Sequence, residues 1–260
     1  VNGRFYYGIK TGLNEAFVVD RATRDRLIAE HKSSAEVLKP FLRGRDVKRW
    51  RVEPQDLWLI FTRRGINIKN YPAVYEHLLP FKKRLMPGAP GGRKPGSYEW
   101  YEIQDNIAYW QEFEQPKVVI PAIERTVSYA PDLKGHYSND KTTICVSNQI
   151  NYLLALLNSS ALWWFIRATA ATKQGGFYEF KPMYVGQLPI PSPPRVEQAA
   201  LEALVDKILA AQGGTGIRAC ASAASQTRMS VAQWEREIDE RVYRLYGLTP
   251  EEIKIVEGEK

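Results

Sequence analysis

Basic side chains near glycine are the residues of this sequence with the most specific chemistry. They are Arg43, Arg45, Lys48, Arg49, Arg63 and Arg64. The first four lie in the segment RGRDVKR, and the last two follow a short apolar run. Lysine and arginine neutralise phosphates, and the forked guanidinium group of arginine also donates hydrogen bonds to base edges. The pattern therefore predicts recognition of a nucleic acid through phosphate and base contacts.

Three glycine-containing loops extend this prediction, because their backbone amides can also approach a phosphate. The loops contribute Lys10, Thr11 and Asn14, then Arg93 and Lys94, then Lys173, Gln174, Gly175 and Gly176. Structural roles compete with this interpretation. Asp46 is placed to pair with Arg43 or Arg49, and the KKR run at 82–84 would complement the dipole at the end of a helix.

Catalytic chemistry has less support. Asp132 and Lys134 have the acid-x-lysine spacing of a metal-dependent nuclease, with Asp105 or Glu114 as a candidate upstream acid. However, Asp132 follows Pro131, and aspartate at that position is typical of a turn. The three histidines lie far apart in the sequence, with no cysteine or carboxylate at ligand spacing. We therefore assign neither a catalytic residue nor a metal site.

Composition describes a folded protein with an uneven charge distribution. Residues 1–100 carry 20 Lys and Arg against 10 Asp and Glu, whereas residues 101–260 carry 16 against 19. A basic half on a near-neutral body favours a polyanionic partner, although a solvated basic surface would have the same composition. Two cysteines, Cys145 and Cys220, are too few for a disulfide framework and favour a reduced, cytoplasmic setting.

Neither a signal-peptide pattern nor a membrane-spanning run is predicted. The longest apolar run, 152–166, is interrupted by Asn158, Ser159 and Ser160, and it is shorter than the roughly 20 residues that a membrane helix needs. The chain starts at Val1 without an initiator methionine, which favours a piece of a longer polypeptide.

The first two-thirds of the chain predict a mixed α/β body that positions these residues. Strands are predicted at 57–61, 117–121, 125–129 and 142–146, with a turn at 130–135. Helices are predicted at 23–31 with Thr23 as cap, from Pro72 onward, and through 153–164 after a cap at Asn148 or Asn151. The aromatic-rich stretch 100–110 is expected in the core, although aromatic rings can also stack on bases.

Beyond Pro194 the pattern becomes helical. An amphipathic helix is predicted at 196–211, closed by Gly213 and Gly214, and a second is predicted from Ser230 to Gly247. The small and polar stretch 215–229 between them is expected to be a linker. Thr249 begins a capping box with proline at the first helical position.

Several motifs occur in order along the chain. They are GIKTGLNEAFVVD at 8–20, SAEVLKPFLRGRDVKRW at 34–50, WLIFT at 58–62, KVVIP at 117–121, LALLNS at 154–159, QGG at 174–176 and LPIP at 188–191. In this order they resemble the TaqI-like C-terminal specificity domain, the target-recognition part of adenine-specific DNA methyltransferases. That family includes single-chain restriction-modification enzymes.

The resemblance implies that the chain binds double-stranded DNA beside a methyltransferase domain of the same polypeptide, which uses S-adenosyl-L-methionine to methylate an adenine. The chain itself lacks the motifs of that chemistry. The glycine run at 213–216 follows a helix rather than a strand, and the proline pair at 193–194 lacks the residues that flank an adenine-methylating motif. We therefore expect no cofactor in this chain and no catalysis by the chain alone.

Together these observations predict an α+β protein with a β-sheet core and a C-terminal helical segment. The expected division is a DNA target-recognition domain at 1–194 and a helical segment at 195–260. Its expected function is sequence-specific binding of duplex DNA. Two alternatives stay open at this point: a metal-dependent nuclease built around Asp132 and Lys134, and a protein-interaction module using the helices at 196–247.

Overall fold

The computed structural model describes residues 4–212 and 221–258. The strands are β1 (Phe5–Tyr7), β2 (Val18–Asp20), β3 (Leu38–Leu42), β4 (Val47–Lys48), β5 (Arg51–Val52), β6 (Leu57–Ile60), β7 (Lys117–Pro121), β8 (Ile123–Glu124), β9 (Ala130–Asp132), β10 (Tyr137–Ser138), β11 (Thr142–Val146), β12 (Thr172–Lys173) and β13 (Phe177–Glu179). The helices are α1 (Asn14–Phe17), α2 (Arg21–Glu30), α3 (Ser34–Val37), α4 (Pro72–Leu78), α5 (Lys82–Leu85), α6 (Ile150–Leu157), α7 (Ser160–Thr169), α8 (Pro182–Val185), α9 (Arg195–Ala211), α10 (Ala221–Tyr246) and α11 (Pro250–Glu257).

A four-stranded antiparallel sheet in the order β1-β11-β7-β9 separates two hydrophobic cores. On β7, Val118 and Ile120 pack into one core while Val119 packs into the other. On β11, Cys145 packs into the same core as Val118, and Ile144 packs into the same core as Val119. Successive side chains of a strand point to opposite faces, so both faces of this sheet are buried. The prediction of an α+β fold with a β-sheet core is confirmed.

The N-terminal lobe lies on one side of this central sheet. It contains a second sheet in the order β10-β3-β6-β2, in which β10 runs parallel to β3 and the other pairs are antiparallel. Helices α2 and α4 cover it, with Leu27 and Val74 fully buried. The aromatic stretch also belongs here, because Trp100 is buried and stacks edge-on against Tyr75 and Tyr101, as expected for core.

The helical lobe lies on the other side and contains α6, α7, α9, α10 and α11. Leu201 and Val205 of α9 are fully buried against the same core as Val118 of the central sheet and Leu154 of α6. One hydrophobic core therefore continues across residue 194. The apolar faces of α9 and α10 pack inside the chain. If these helices formed an interaction module, a partner would contact only their polar faces.

Several predicted elements are confirmed with small shifts in their ends. They include β6, β7, β11, α4, α9 and the Thr249 capping box, where Thr249 Oγ1 accepts from the Glu252 amide. The first helix begins at Arg21 rather than Thr23, and its cap is Asp20, whose carboxylate accepts from the Thr23 amide at 2.8 Å. A short helix, α1, lies between the Gly12 turn and β2.

The prediction around Asp132 is wrong. Residues 125–129 form no strand, and Ala130–Asp132, expected as part of a turn, is strand β9 paired with β7. Pro131 is tolerated because β9 is the edge strand of its sheet and its missing amide costs no ladder bond there. Sequence periodicity favoured residues 125–129 as a strand, but they pair with no strand of the described residues.

Two helical predictions also need correction. The helix expected through 153–164 is two helices, broken at Asn158 and Ser159, with Ser159 as N-cap of α7 and Gln149 as N-cap of α6. The expected linker 215–229 is helical from Ala221 onward, as the start of α10. The glycines at 213–216 lie outside the described residues. No helix within the described ranges has the length and apolar character to cross a bilayer.

Candidate nucleic-acid interface

The loop after β1 is fixed by two glycines. A Cβ on Gly8 would lie 1.8 Å from the Asn139 carbonyl oxygen, so only glycine fits there. Gly12 has a φ of +85°, and a Cβ there would lie 2.5 Å from Cδ of Arg93. Between them, Thr11 Oγ1 donates to Asn14 Oδ1 at 2.7 Å and closes the turn.

This loop does not form a cofactor cradle, although it joins a strand to a helix. The space beside Gly8 is filled by the backbone of Asn139, and the helix that follows, α1, has only 4 residues. Phosphate-binding glycine loops need room beside the glycines and a helix N-terminus behind them. The residues present therefore leave no open glycine cradle at this position.

The loop instead contacts two other loops. The amides of Gln104 and Asp105 donate to the carbonyl oxygens of Thr11 and Lys10, at 3.1 and 3.2 Å. On the other side, the Asp140 amide donates to the Ile9 carbonyl oxygen at 3.0 Å. These bonds hold residues 104–105 and 139–140 on either side of Lys10.

Arg45 follows strand β3, in a turn that lies in the same region as Lys10. Asn139 Oδ1 accepts from the backbone amides of both Gly44 and Lys141, each at 3.3 Å, and so joins the turn after β3 to the turn after β10. Arg45 is exposed beyond this junction. The Lys141 side chain is 66% exposed, and its Nζ lies 3.3 Å from the Asp140 carboxylate.

The hairpin of β12 and β13 adjoins Lys141. Ala122 donates its amide to the Lys141 carbonyl oxygen and accepts from the Phe180 amide, both at 2.9 Å. Glu179 holds the hairpin base, since Lys181 and Lys173 lie 2.9 and 3.0 Å from its Oε1. The hydrogen bond from Lys181, with that from Lys173, lowers the pKa of the Glu179 carboxyl. The tip, 174–176, is exposed and has positive φ at both glycines.

We call these connected segments, 10–14, 43–45, 104–106, 139–141 and 172–176, the loop surface. It brings together most of the predicted glycine-loop residues with one side of the basic segment. The predicted members are Lys10, Thr11, Asn14, Arg45, Lys173, Gln174, Gly175 and Gly176. Thr11 itself is 1% exposed, so its side chain serves the turn.

Within the basic segment Arg49 and Trp50 connect the two lobes, whereas Arg43 pairs inside the segment. Arg43 is held by Asp46, which accepts from its backbone amide and guanidinium at 2.8–3.0 Å. Arg49 donates to the Asn158 carbonyl oxygen at 2.9 Å and pairs with Glu235 of α10 at 3.1 Å. The Trp50 indole donates to the same Glu235 carboxylate at 2.6 Å. Lys48 stays exposed, with no ion pair to any residue that the structure describes.

Arg63 and Arg64 separate in space. Arg63 is exposed, with its guanidinium carbon 5.4 Å from the centre of the Trp110 ring. Arg64 is half-buried, pairs with Glu102 at 2.9 Å and donates to the Gln104 carbonyl oxygen at 3.0 Å. Arg64 therefore stabilises the segment of the loop surface that contains Gln104.

Arg93 has an internal role. It is 5% exposed, and its guanidinium donates to the carbonyl oxygens of Leu85, Thr11, Glu102, Glu99 and Trp100. Burial lowers the pKa of Arg93 to about 10, which leaves it charged at neutral pH. With these donors occupied, Arg93 leaves the candidate set for DNA contact. Its neighbour Lys94 is exposed.

Asp132 belongs to a buried cluster. Its carboxylate lies 2.6 Å from Lys117 Nζ and 2.8 Å from both the backbone amide and Nδ1 of His136. Burial disfavours its ionised form, but His136 and Lys117 outweigh burial and lower the pKa of Asp132 to about 2. At 1% exposure the Asp132 side chain is closed off from solvent, and its ion pairs among the described residues are with Lys117 and His136 and not with Lys134. Within 4–212 and 221–258 no group of three or more His, Cys, Asp or Glu could hold a metal ion.

Sequence reasoning missed four polar residues of this region. Lys141 and Gln104 lie on the loop surface, Asn106 follows on the same loop, and Arg125 lies beside Gly175 at the hairpin tip. None belongs to a glycine-rich or doubly basic run, and their proximity comes from the pairing of distant strands. The glutamine and asparagine in the motif IQDN were the available signal.

Comparisons with known proteins identify the family of this chain. A model of the TaqI-like C-terminal specificity domain matches residues 39–190. Type II methyltransferase M.BstVI of Geobacillus stearothermophilus is 22% identical over 255 residues, which cover 96% of this chain and 40% of that protein. The chain thus spans well under half of this curated relative.

A solved structure shares the fold. The Type IIL restriction-modification enzyme MmeI, determined in complex with DNA, matches 94% of this chain and 33% of its own, with a TM-score of 0.68 and 16% identity. The family match covers more than half of the chain, from β3 to the LPIP motif. The chain therefore belongs to the family of TaqI-like C-terminal specificity domains.

Proposed function

We propose that this chain recognises a specific sequence in duplex DNA as the target-recognition part of a restriction-modification methyltransferase. The observation that carries the proposal is the state of the cations on the loop surface. Lys10 and Arg45 form no ion pair with any residue of the described ranges, whereas Arg43, Arg49 and Arg64 are paired internally. Lys141 and Lys173 of the same surface are paired with Asp140 and Glu179, so Lys10 and Arg45 are its cations most available to phosphate.

Shape supports the same function. The loop surface combines a rigid set of turns with an exposed hairpin tip, and hairpins and loops are elements that can enter a DNA groove. Lys48, Arg63 and Lys94 are exposed outside the loop surface and would add contacts along the DNA backbone. Phosphate contacts of this kind set orientation, and base contacts set the sequence.

Methylation belongs to the rest of the protein in this proposal. A methyltransferase domain of the same polypeptide would bind S-adenosyl-L-methionine and methylate an adenine, and residues 1–194 would select the site. Residues 195–260 would stabilise residues 1–194 through Glu235 and Asp239, which accept hydrogen bonds from Trp50 and from the first turn of α7. The cytoplasm is the compartment that such a protein shares with its DNA.

The test compares duplex binding over a salt series for the native protein and for a Lys10→Ala, Arg45→Ala double variant. Each lost phosphate contact should reduce the steepness of log K against log salt by about 0.9. We expect the double variant to bind more weakly and to have a shallower salt dependence. Lys207→Ala, an exposed lysine on α9, is the matched control and should bind as the native protein does.

Two results would contradict the proposed function. If the double variant and the Lys207→Ala control have the same affinity and salt slope, the loop surface does not contact DNA. If the native protein fails to bind duplex DNA even at low salt, the proposed function is wrong.

A further inference from the structure

The loop that precedes Asp105 is held unusually firmly for a surface segment. Arg93 binds the carbonyl oxygens of Glu99, Trp100 and Glu102 from below. The Glu102 carboxylate, 3% exposed, accepts from the amides of Gly65 and Glu99 and from Arg64, at 2.6–3.0 Å. Buried, charge-assisted hydrogen bonds of this kind restrict the loop to one conformation.

Gln104 lies in this loop directly before Asp105, and it is partly exposed to solvent. Its amide donates to the Thr11 carbonyl oxygen at 3.1 Å, and its own carbonyl oxygen accepts from Arg64 at 3.0 Å. A Cβ on Gly12 would come within 2.9 Å of Gln104 Oε1, so glycine at position 12 makes room for this side chain. Both backbone groups of Gln104 are therefore fixed, and its side chain lies beside Gly12.

The side-chain amide of Gln104 is nevertheless unused. It is partly exposed and has no hydrogen-bond partner among the residues that the structure describes. Ordering a long polar side chain has an entropic cost, and most polar side chains held in place by a fold find a partner. A carboxamide on a fixed backbone, with no hydrogen-bond partner among the described residues and on the same surface as Lys10 and Arg45, is placed for an external ligand.

We propose that Gln104 reads an adenine in the DNA target through the major groove, an inference that rests on the proposed function. A carboxamide offers one donor and one acceptor side by side, which match N7 and the N6 amino group of adenine. Lys10, whose backbone is bonded to the same loop, would hold the adjacent phosphate. A neutral carboxamide adds little to phosphate binding itself, so its contribution is to the choice of base.

The experiment selects binding sites from a randomised duplex pool with the native protein and with Gln104→Ala and Gln104→Glu, followed by sequencing. The native protein should enrich a site with adenine at one or more positions. Gln104→Ala should lose the preference at one adenine by roughly 5- to 150-fold, the range of a lost bidentate contact. Gln104→Glu should shift that position towards cytosine, whose N4 amino group donates to a carboxylate.

The matched control is Gln115→Ala. Gln115 is exposed, has no hydrogen-bond partner in the described residues, and lies before β7, at the end of that strand away from Lys141. Its substitution should leave every preference unchanged. Thermal unfolding of both alanine variants should match the native protein, since neither side chain makes a hydrogen bond to a residue that the structure describes.

The outcomes separate the two proposals. If Gln104→Ala enriches the same site with the same preference at every position, Gln104 does not read a base, while sequence-specific binding stands. A preference that changes only where the native protein did not select adenine also rejects the inference. If the native protein enriches no sequence, the proposed function fails together with this inference.

Discussion

Arg93 Nη1 donates to the carbonyl oxygen of Thr11 at 3.0 Å and thereby joins two loops that lie far apart in the sequence. The same guanidinium binds four further carbonyl oxygens on the segments 85 and 99–102. A charged group is costly to bury unless its donors are all used. The loop surface is therefore built on a buried arginine, and its geometry should depend on that side chain.

Arg93→Ala should strongly destabilise the protein. Five carbonyl oxygens would lose a donor, and those of Leu85, Trp100 and Glu102 have no other donor among the described residues. A buried unsatisfied polar group costs about 1–3 kcal/mol. Allowing for water entering the site, we expect a loss of about 3 kcal/mol or more, measured by urea unfolding. The exposed neighbour provides the control, because Lys94→Ala should change the free energy of unfolding by less than about 0.5 kcal/mol. Equal stability of the two variants would contradict the structural role of Arg93.

Asp132 should contribute a stabilisation that depends on pH. Its pKa is about 2 in the folded protein and about 3.9 in an unfolded chain, so the unfolded state binds more protons between these values. The contribution, about 2 kcal/mol, is complete above pH 5 or so and is lost as the pH falls towards 2. Urea unfolding across that window should show stability rising with pH.

Asp132→Asn tests this assignment. The substitution leaves Lys117 buried without its counter-charge, and breaking a buried pair costs roughly 3–5 kcal/mol. Asp25→Asn, in an exposed pair with Arg24, should cost under about 1 kcal/mol. A variant with native stability but altered magnesium-dependent DNA cleavage would instead revive the nuclease alternative.

The basic segment should divide into two functional classes. Arg49→Ala removes the contacts with Glu235 and Asn158 and should lower stability by about 1–3 kcal/mol. Lys48→Ala, one residue away, should leave stability within about 0.5 kcal/mol, because its side chain is exposed and unpaired among the described residues. Calorimetry and duplex-binding titrations on both variants check the division. It is contradicted if Arg49→Ala unfolds at the native temperature.

Removing the helical segment should unfold the chain. A protein ending at Pro194 would lose Leu201, Val205 and Ile208, all fully buried against the central sheet and α6. Each such side chain contributes about 1.5–3 kcal/mol through burial, and the sum approaches a domain's total stability. Circular dichroism and size-exclusion chromatography should show an unfolded or aggregated product. A folded 1–194 fragment would mean that the helical segment is an independent unit.

Elements whose residues carry a local signal were predictable, and those created by distant partners were not. Strand β7 is a run of β-branched residues, and the Thr249 capping box is complete within four residues. By contrast, β9 exists because Ala130 and Pro131 pair with Val119 and Val118 of β7, a long-range contact that local periodicity does not contain.

The candidate site follows the same rule. Lys10 and Arg45 were predictable because their charge and neighbouring glycines are local features. Arg93 has the same local features, and only its burial beneath residues 99–102 reveals its structural role. Gln104 gave no comparable signal, since its importance depends on the space that Gly12 leaves beside it.

Sequence-specific recognition of duplex DNA is tested most directly by selecting binding sites from a randomised duplex pool with the native protein. The selection is combined with titration over a salt series. We expect enrichment of one short sequence and an affinity that falls steeply as salt rises, because phosphate contacts release counterions. Absence of binding at low salt, or salt-sensitive binding without an enriched sequence, would contradict sequence-specific recognition by this chain.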